Sequence, residues 1–221
     1  MSSLPPEVIY EYDRLIALSG GLDSVYAAWT YLRDHPDKKL LMLHVNLFNV
    51  EKRAVHEAKA VKQALEYFKR VGLTNYRYVE MTYDQRQFLS TINDVEVVGF
   101  MIGVFLRARN RIIREIAITA SSFDLQQGAE YDQRSKARFD IIKLVAEVEG
   151  IPVPPYVFPV AHLTREQMLT ELPFELLQAI WFCRRPVNGE TCKVCIPCTQ
   201  TLDLYNQICD QHLTKLDPNK S

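Results

Sequence analysis

The chain has 221 residues, is 48% hydrophobic, and sets 26 Lys and Arg against 27 Asp and Glu for a net charge of −1. That length and apolar content suit one α/β domain with a sizeable core and a small appendage. The charge balance argues against nucleic acid or a membrane surface as the main partner, while a small nucleotide site needs only local charge.

Met1 to Asp13 carries Pro5, Pro6 and three acidic residues in place of an apolar signal core. The longest apolar run, Val97 to Leu106, is too short to span a bilayer and is closed by Glu96 and Arg107. A cytoplasmic protein is therefore expected. Five cysteines in a reducing compartment point to metal or chemistry in preference to disulfides.

Arg14 to Leu18 reads as a short buried strand, Ser19-Gly20-Gly21 as a turn, and Asp23 to Asp34 as a helix with Val25, Ala28, Trp29 and Leu32 on one face. Leu40 to Val45 predicts a second strand. Glu51 to Val71 predicts a long helix burying Ala54, Ala58, Val61, Leu65 and Phe68, and Tyr76 to Met81 a third strand. Val95 to Ile113 reads as helix and Glu115 to Ala120 as a fourth strand. An amphipathic helix is predicted over Asp132 to Glu149, burying Ile141, Leu144, Val145 and Val148. A fifth strand is placed at Val157 to Val160, helices from Thr164 to Ile180, and a last helix from Thr199 to His212. Strands alternating with helices predict a Rossmann-like parallel sheet covered on both faces, with ligands beyond the carboxyl ends of the strands. Residues 1–160 are assigned to this nucleotide-binding unit and 161–221 to a helical, cysteine-bearing region.

Ser19-Gly20-Gly21-Leu22-Asp23-Ser24 joins the first strand to the first helix. Two glycines permit a tight turn that exposes backbone N–H groups. Those amides, the Ser19 and Ser24 hydroxyls and the positive helix end suit a phosphate or pyrophosphate. Neither G-x-x-x-x-G-K nor G-x-G-x-x-G is present, so a P-loop lysine and a dinucleotide fingerprint are both lacking. The plainer reading is a helix cap by Asp23 or Ser24.

Near the C-terminus, Cys183, Cys192, Cys195 and Cys198 form C-x8-C-x2-C-x2-C. Four thiolates that converge on one ion leave no open position, which predicts a structural zinc site. Iron–sulfur ligation and buried free thiols are the competing readings, and the bacterial C-x3-C-P continuation is absent. Cys209 is expected to be a small buried residue.

The S-G-G-L-D-S segment resembles the PP-loop of ATP pyrophosphatases. The resemblance implies that Ser19, Gly20, Gly21, Leu22 and Ser24 cradle ATP phosphates, with Asp23 near Mg2+ and Ser24 beside the chemistry. It also implies an adenine pocket around His44 to Asn46, although His44 alone reads more simply as a packed strand histidine. Together with the cysteine spacing, the chain resembles QueC-type 7-cyano-7-deazaguanine synthases from Leu15 to about Leu204. Smaller likenesses are Thr164-Arg165-Glu166, Trp181-Phe182-Cys183, and Ile118-Thr119-Ala120 leading to Asp124, a ligand-side aspartate by the resemblance.

That family adenylates 7-carboxy-7-deazaguanine and forms an amide and then a nitrile. The resemblance thus implies ATP, Mg2+ and Zn2+, a small-molecule 7-deazaguanine substrate and a homodimer. The family's V-P-G-R-N is replaced near Val97-Val98-Gly99-Phe100-Met101, and its G-Y-P-D-C-R near Gly128 to Arg134, which keeps Asp132 and Arg134. Lys193 stands where the family has a glycine. Asp132 and Arg134 could hold the substrate or form an ordinary charged helix start. These departures admit a protein amine as acceptor, as in QueC-like antiphage defence proteins. Arg107, Arg109, Arg111 and Arg114 read as a solvated face. Other classes are a tRNA thiolase, disfavoured by the charge, and a non-catalytic nucleotide-binding module, disfavoured by the intact turn.

Overall fold

The computed structural model describes residues 10–87, 94–109, 113–120, 122, 129–148 and 152–216. Strands β1 (Tyr12–Ala17), β2 (Leu40–Phe48), β3 (Tyr76–Asp84), β4 (Ile113–Ala117) and β5 (Tyr156–Val157) form one sheet in the order β3-β2-β1-β4-β5. All pairings are parallel, with Leu15 beside Leu41 on one side and Ile116 on the other. Helices α1 (Leu22–Asp34), α2 (Ala54–Arg70), α3 (Asp94–Arg109) and α4 (Ala129–Glu147) intervene. Short helices α5 (Arg165–Glu171) and α6 (Phe174–Ala179) precede the long α7 (Ile196–Leu216). The order reverses at β1: the chain runs outward to β2 and β3, then returns to β4. The crevice above β1 and β4 is therefore the switch point of the sheet.

β2 reads as a continuous apolar run because both of its faces are covered. Leu40 and Met42 join Ile16, α1, α2 and the helices after residue 160 in one cluster, and Leu41, Leu43, Val45 and Leu47 join α3 and α4 in another. Each fully buried leucine or methionine there stabilises the fold by about 1.5–3 kcal/mol relative to exposure. Met168, Leu169, Leu176, Leu177 and Ile208 share the first cluster with Val25 and Phe68, so the helices after residue 160 pack directly on the α1 and α2 face of the sheet.

Several expectations are corrected. The fourth strand begins at Ile113 and ends at Ala117, and the fifth is the pair Tyr156–Val157. On α2, Ala54, Val61 and Phe68 are buried as expected together with Ala60 and Ala64, whereas Ala58 and Leu65 are only partly covered. On α4 the buried residues are Ile142 and Ala146, while Leu144 and Val148 are 72% and 63% exposed. Pro173 divides the 164–180 stretch into two helices, since it cannot donate a helical hydrogen bond. Thr164 caps α5 in a reciprocal box, its hydroxyl accepting Gln167 N–H at 3.2 Å while Gln167 Oε1 accepts Thr164 N–H at 2.8 Å. Among the described residues no helix is long and apolar enough to cross a membrane.

Candidate functional site

The glycine turn leaves the carboxyl end of β1 at the switch point. Gly20 takes φ +79°, the left-handed region that glycine enters without strain. A methyl group there would lie 2.8 Å from Ala60 Cβ and 2.9 Å from the Glu57 carbonyl oxygen, so the turn is pressed against α2. Gly21 is the N-cap of α1 and no side chain caps the helix, which removes the plainer reading of Asp23 or Ser24 as a cap. Instead the Ser24 hydroxyl donates to the Gly21 carbonyl at 3.1 Å and accepts the Ser19 N–H at 3.2 Å. Ser19 Oγ lies 3.1 Å from Ser24 Oγ and accepts Gly21 N–H at 3.3 Å. Two hydroxyls thus gather at the uncapped start of α1, where opening amides and the positive helix end suit an anion. Asp23 stands half-buried in the first helical turn, and Leu22 is buried in the core and offers only its amide.

His44 is 1% exposed and lies behind the turn. Its Nδ1 donates to the Leu18 carbonyl at 2.8 Å and its Nε2 lies 3.0 Å from Asn46 Oδ1. Asn46 in turn donates to Glu80 Oε1 at 2.5 Å. With both ring nitrogens engaged, His44 supports the chain entering the turn. The strand-histidine reading holds for it.

A cluster that sequence reasoning missed lies beyond the carboxyl ends of β2 and β3. Arg53, buried at the start of α2, has its guanidinium 3.0 Å from Glu51 Oε2 and 3.1 Å from Glu57 Oε1, and pairs with Asp94 at the start of α3. Arg184 approaches the same Asp94 carboxylate at 3.6 Å. Burial pushes the Glu57 carboxyl up to about 7, against the pull of Arg53, and the nearby Asp94 and Glu51 carboxylates push the same way. Burial opposes the charge on Arg53, but the Glu57, Asp94 and Glu51 carboxylates outweigh it and hold the side chain as a cation. No local motif signals this group, because Asp94 and Arg184 join Glu51, Arg53 and Glu57 from distant parts of the chain.

The cysteines expected as ligands do converge: the four sulfurs of Cys183, Cys192, Cys195 and Cys198 all lie within 4.8 Å of one another. Cys183 Sγ accepts Cys192 N–H at 3.2 Å, and Cys192 Sγ accepts Cys195 N–H at 3.3 Å. Hydrogen bonding from the Val194 amide, opposed by desolvation and aided by the Cys195 amide, holds the Cys192 thiol down to about 6. Burial pushes the Cys183 and Cys198 thiols up. Asn188 and Gly189, at φ 49° and 86°, form the two-residue turn between Val187 and Glu190 that brings Cys192 back to Cys183. Lys193 has φ 61°, the left-handed conformation in which a glycine is unstrained and a lysine costs about 1–2 kcal/mol.

The fit to a single ion is close. Metal–sulfur bonds of about 2.3 Å at tetrahedral angles separate sulfurs by roughly 3.8 Å, and Cys192 and Cys198 stand 3.9 Å apart. Cys209 lies on α7, outside the group, where burial pushes its thiol up.

Trp181 joins the two sites. Its backbone N–H donates to the Gly20 carbonyl at 2.9 Å, its indole N–H donates to the Cys183 carbonyl at 2.8 Å, and its ring stacks on His56 at 4.3 Å.

Other expected residues fall elsewhere. Asp124 lies outside the described residues, as do the side chains of Asp132 and Arg134 at the start of α4. Val97 and Met101 are buried in the core, and Gly99 faces Arg138 of α4, so this segment is a helix-packing seam. Arg114 sits at the amino-terminal end of β4, 3.5 Å from Asp13 Oδ1, at the opposite end of the sheet from the turn. A hollow of about 180 Å³ beside Asp13, Arg14 and Arg114 shares that end, and one of about 510 Å³ lies on α7. Neither meets the glycine turn, and a parallel sheet binds ligands at its carboxyl edge.

Comparison with models of known families finds no match, and neither does comparison with curated protein sequences. Among solved structures, the chain is similar to the U34-tRNA thiolase NcsA from Methanococcus maripaludis, solved with its 4Fe-4S cluster. The identity is 13% over 95% of this chain and 67% of that one, with a TM-score of 0.52. It is also similar to an NMN synthetase from Francisella tularensis, with 13% identity over 90% of this chain and 84% of that one and a TM-score of 0.44. At such identity the likeness is one of fold. The protein has a Rossmann-like, PP-loop type α/β fold with a C-terminal cysteine cluster able to hold a metal.

Proposed function

We infer that the protein is an ATP-dependent enzyme that cleaves ATP to AMP and pyrophosphate while adenylating a carboxylate. The observation that carries this reading is the meeting of Ser19 Oγ and Ser24 Oγ, 3.1 Å apart, at the uncapped start of α1 beyond the carboxyl end of β1. The carboxylate oxygen would attack the α-phosphorus, the bond to the bridging oxygen would break, and pyrophosphate would leave. An amine then attacks the acyl carbon and AMP departs with the bonding electrons. The turn's amides and hydroxyls would receive the negative charge that accumulates on pyrophosphate. Mg2+ would neutralise phosphate charge, and Asp23, in the first turn of α1, is the residue on hand to hold it.

The substrate that the sequence resemblance favours is 7-carboxy-7-deazaguanine, with ammonia or a protein amine as acceptor. Sulfur spacing that suits one ion favours Zn2+ in the cysteine cluster over an iron–sulfur cube, whose thiolates are spread wider. Incubation with ATP, Mg2+, the deazaguanine acid and ammonium, with nucleotides and product weighed by mass spectrometry, should give AMP, pyrophosphate and an amide or nitrile. ADP with orthophosphate would overturn the reading. AMP formation that ignores the deazaguanine acid would leave adenylation standing and remove the substrate.

A further inference from the structure

We propose that the cysteine cluster holds the glycine turn in its anion-binding form, with Trp181 as the positioning residue between them. The proposal rests on the reading of the turn as a phosphate site, and it concerns how that site is kept in shape.

The Gly20–Gly21 peptide is the weak point of the turn. In a trans peptide the carbonyl and the N–H point to opposite edges. With the Gly20 carbonyl held by Trp181 N–H at 2.9 Å, the Gly21 N–H is directed to the other side, where it meets Ser19 Oγ at 3.3 Å. On the reading of the turn as a phosphate site, that is the side an anion meets. If the peptide rotated, a carbonyl oxygen would replace the amide there and repel a phosphate. Two adjacent glycines offer little steric resistance to such a rotation. The hydrogen bond from Trp181 therefore decides which group the turn presents.

Trp181 is itself fixed from the cysteine side. Its indole N–H donates to the carbonyl of Cys183, a residue 1% exposed whose sulfur accepts the Cys192 amide at 3.2 Å. The ring is stacked on His56 of α2 with planes 14° apart. A second line runs from the other side of Cys183: Arg184 to Asp94, Asp94 to Arg53, and Arg53 to Glu57. The Glu57 carbonyl lies 2.9 Å from the point a Gly20 Cβ would occupy. Trp181 and Arg184, on either side of Cys183, thus both reach toward the turn, so ordering the cluster orders the turn. By thermodynamic reciprocity, an anion in the turn must also tighten the metal.

The test uses the full chain loaded with Co2+, whose thiolate absorption reports occupancy, and inorganic pyrophosphate as probe by calorimetry. Trp181→Phe keeps a ring against His56 and removes the donor to Cys183. It should keep the metal yet bind pyrophosphate about tenfold more weakly, the size of one lost hydrogen bond. Removing the metal should weaken pyrophosphate binding strongly in the wild type and add little in Trp181→Phe. In loaded protein, which needs no apo form to stay folded, pyrophosphate should slow metal loss to a chelator in the wild type and not in the variant. Equal pyrophosphate affinity in wild type and Trp181→Phe, or metal loss indifferent to pyrophosphate, overturns the coupling and leaves the phosphate site intact. Absence of pyrophosphate binding in every form overturns both.

Discussion

Gly103 of α3 faces Val145 of α4 so closely that a methyl group on Gly103 would stand 2.7 Å from Val145 Cβ and 3.2 Å from the Ile142 carbonyl. Gly99, one turn earlier, is packed 3.1 Å from Arg138 Cγ by the same measure. The two glycines form a groove in α3 into which α4 settles. Gly103→Ala should therefore destabilise the protein by about 1–3 kcal/mol through overpacking, although helix propensity alone favours alanine by about 1 kcal/mol. A urea titration that finds the variant more stable than wild type would show that the helices part freely.

That groove also explains why the face of α4 was misread. Ile141, Ile142, Leu144, Val145, Ala146 and Val148 offer more than one apolar stripe at helical spacing, and periodicity cannot choose between them. The partner decides: the groove selects Arg138, Ile142 and Val145, leaving Leu144 and Val148 in solvent. The strand–turn–helix unit at residues 12–34 was legible because an apolar run, two glycines and a 3.6-residue period coincide there. The cysteine cluster was legible from spacing alone. The Arg53 cluster was not, because Glu51, Glu57, Asp94 and Arg184 are ordinary charged residues until the fold brings them together.

Glu57 gives a pH dependence with a definite sign. Its carboxyl is raised from the ordinary 4.5 to about 7 by burial, so the folded state binds its proton more tightly than the unfolded state. The stability it contributes is fully present below 4.5 and is lost as pH rises through about 7. Glu57→Gln imitates the protonated form and keeps Glu51 and Asp94 for Arg53. The variant should match wild type in acid and exceed it in stability above neutrality. Denaturant midpoints measured on both sides of the transition settle the matter; parallel profiles for the two proteins would place the carboxyl in an ordinary, solvated state.

Elemental analysis should find one zinc per chain. Cys195→Ser should lose it, since a tetrahedral site left with three thiolates admits water and binds weakly, whereas Cys209→Ser should retain it. Chelation should loosen residues 183–198 before the sheet, because metal binding and folding of a small knot are one equilibrium. Iron in stoichiometric amount, or equal metal loss from the two variants, would contradict the single-ion reading.

The two glycines of the turn should fail in different ways. At Gly20 an alanine meets φ +79° and a contact of 2.8 Å with Ala60 Cβ, both of which oppose the folded backbone. Gly20→Ala should cost both stability and nucleotide affinity, the first by about 1–3 kcal/mol. Gly21 has φ −79°, which any residue adopts, and its added Cβ would meet nothing nearer than Ser19 Oγ at 3.3 Å. That methyl group would stand beside Ser19 Oγ, on the ground of the proposed phosphate site. Gly21→Ala should therefore fold as well as wild type and bind ATP poorly. Thermal unfolding without ligand, set beside ATP titration, separates the two outcomes. If Gly21→Ala binds ATP like wild type, the phosphates do not enter between Ser19 and the start of α1, and the anion must be sought elsewhere along the carboxyl edge of the sheet.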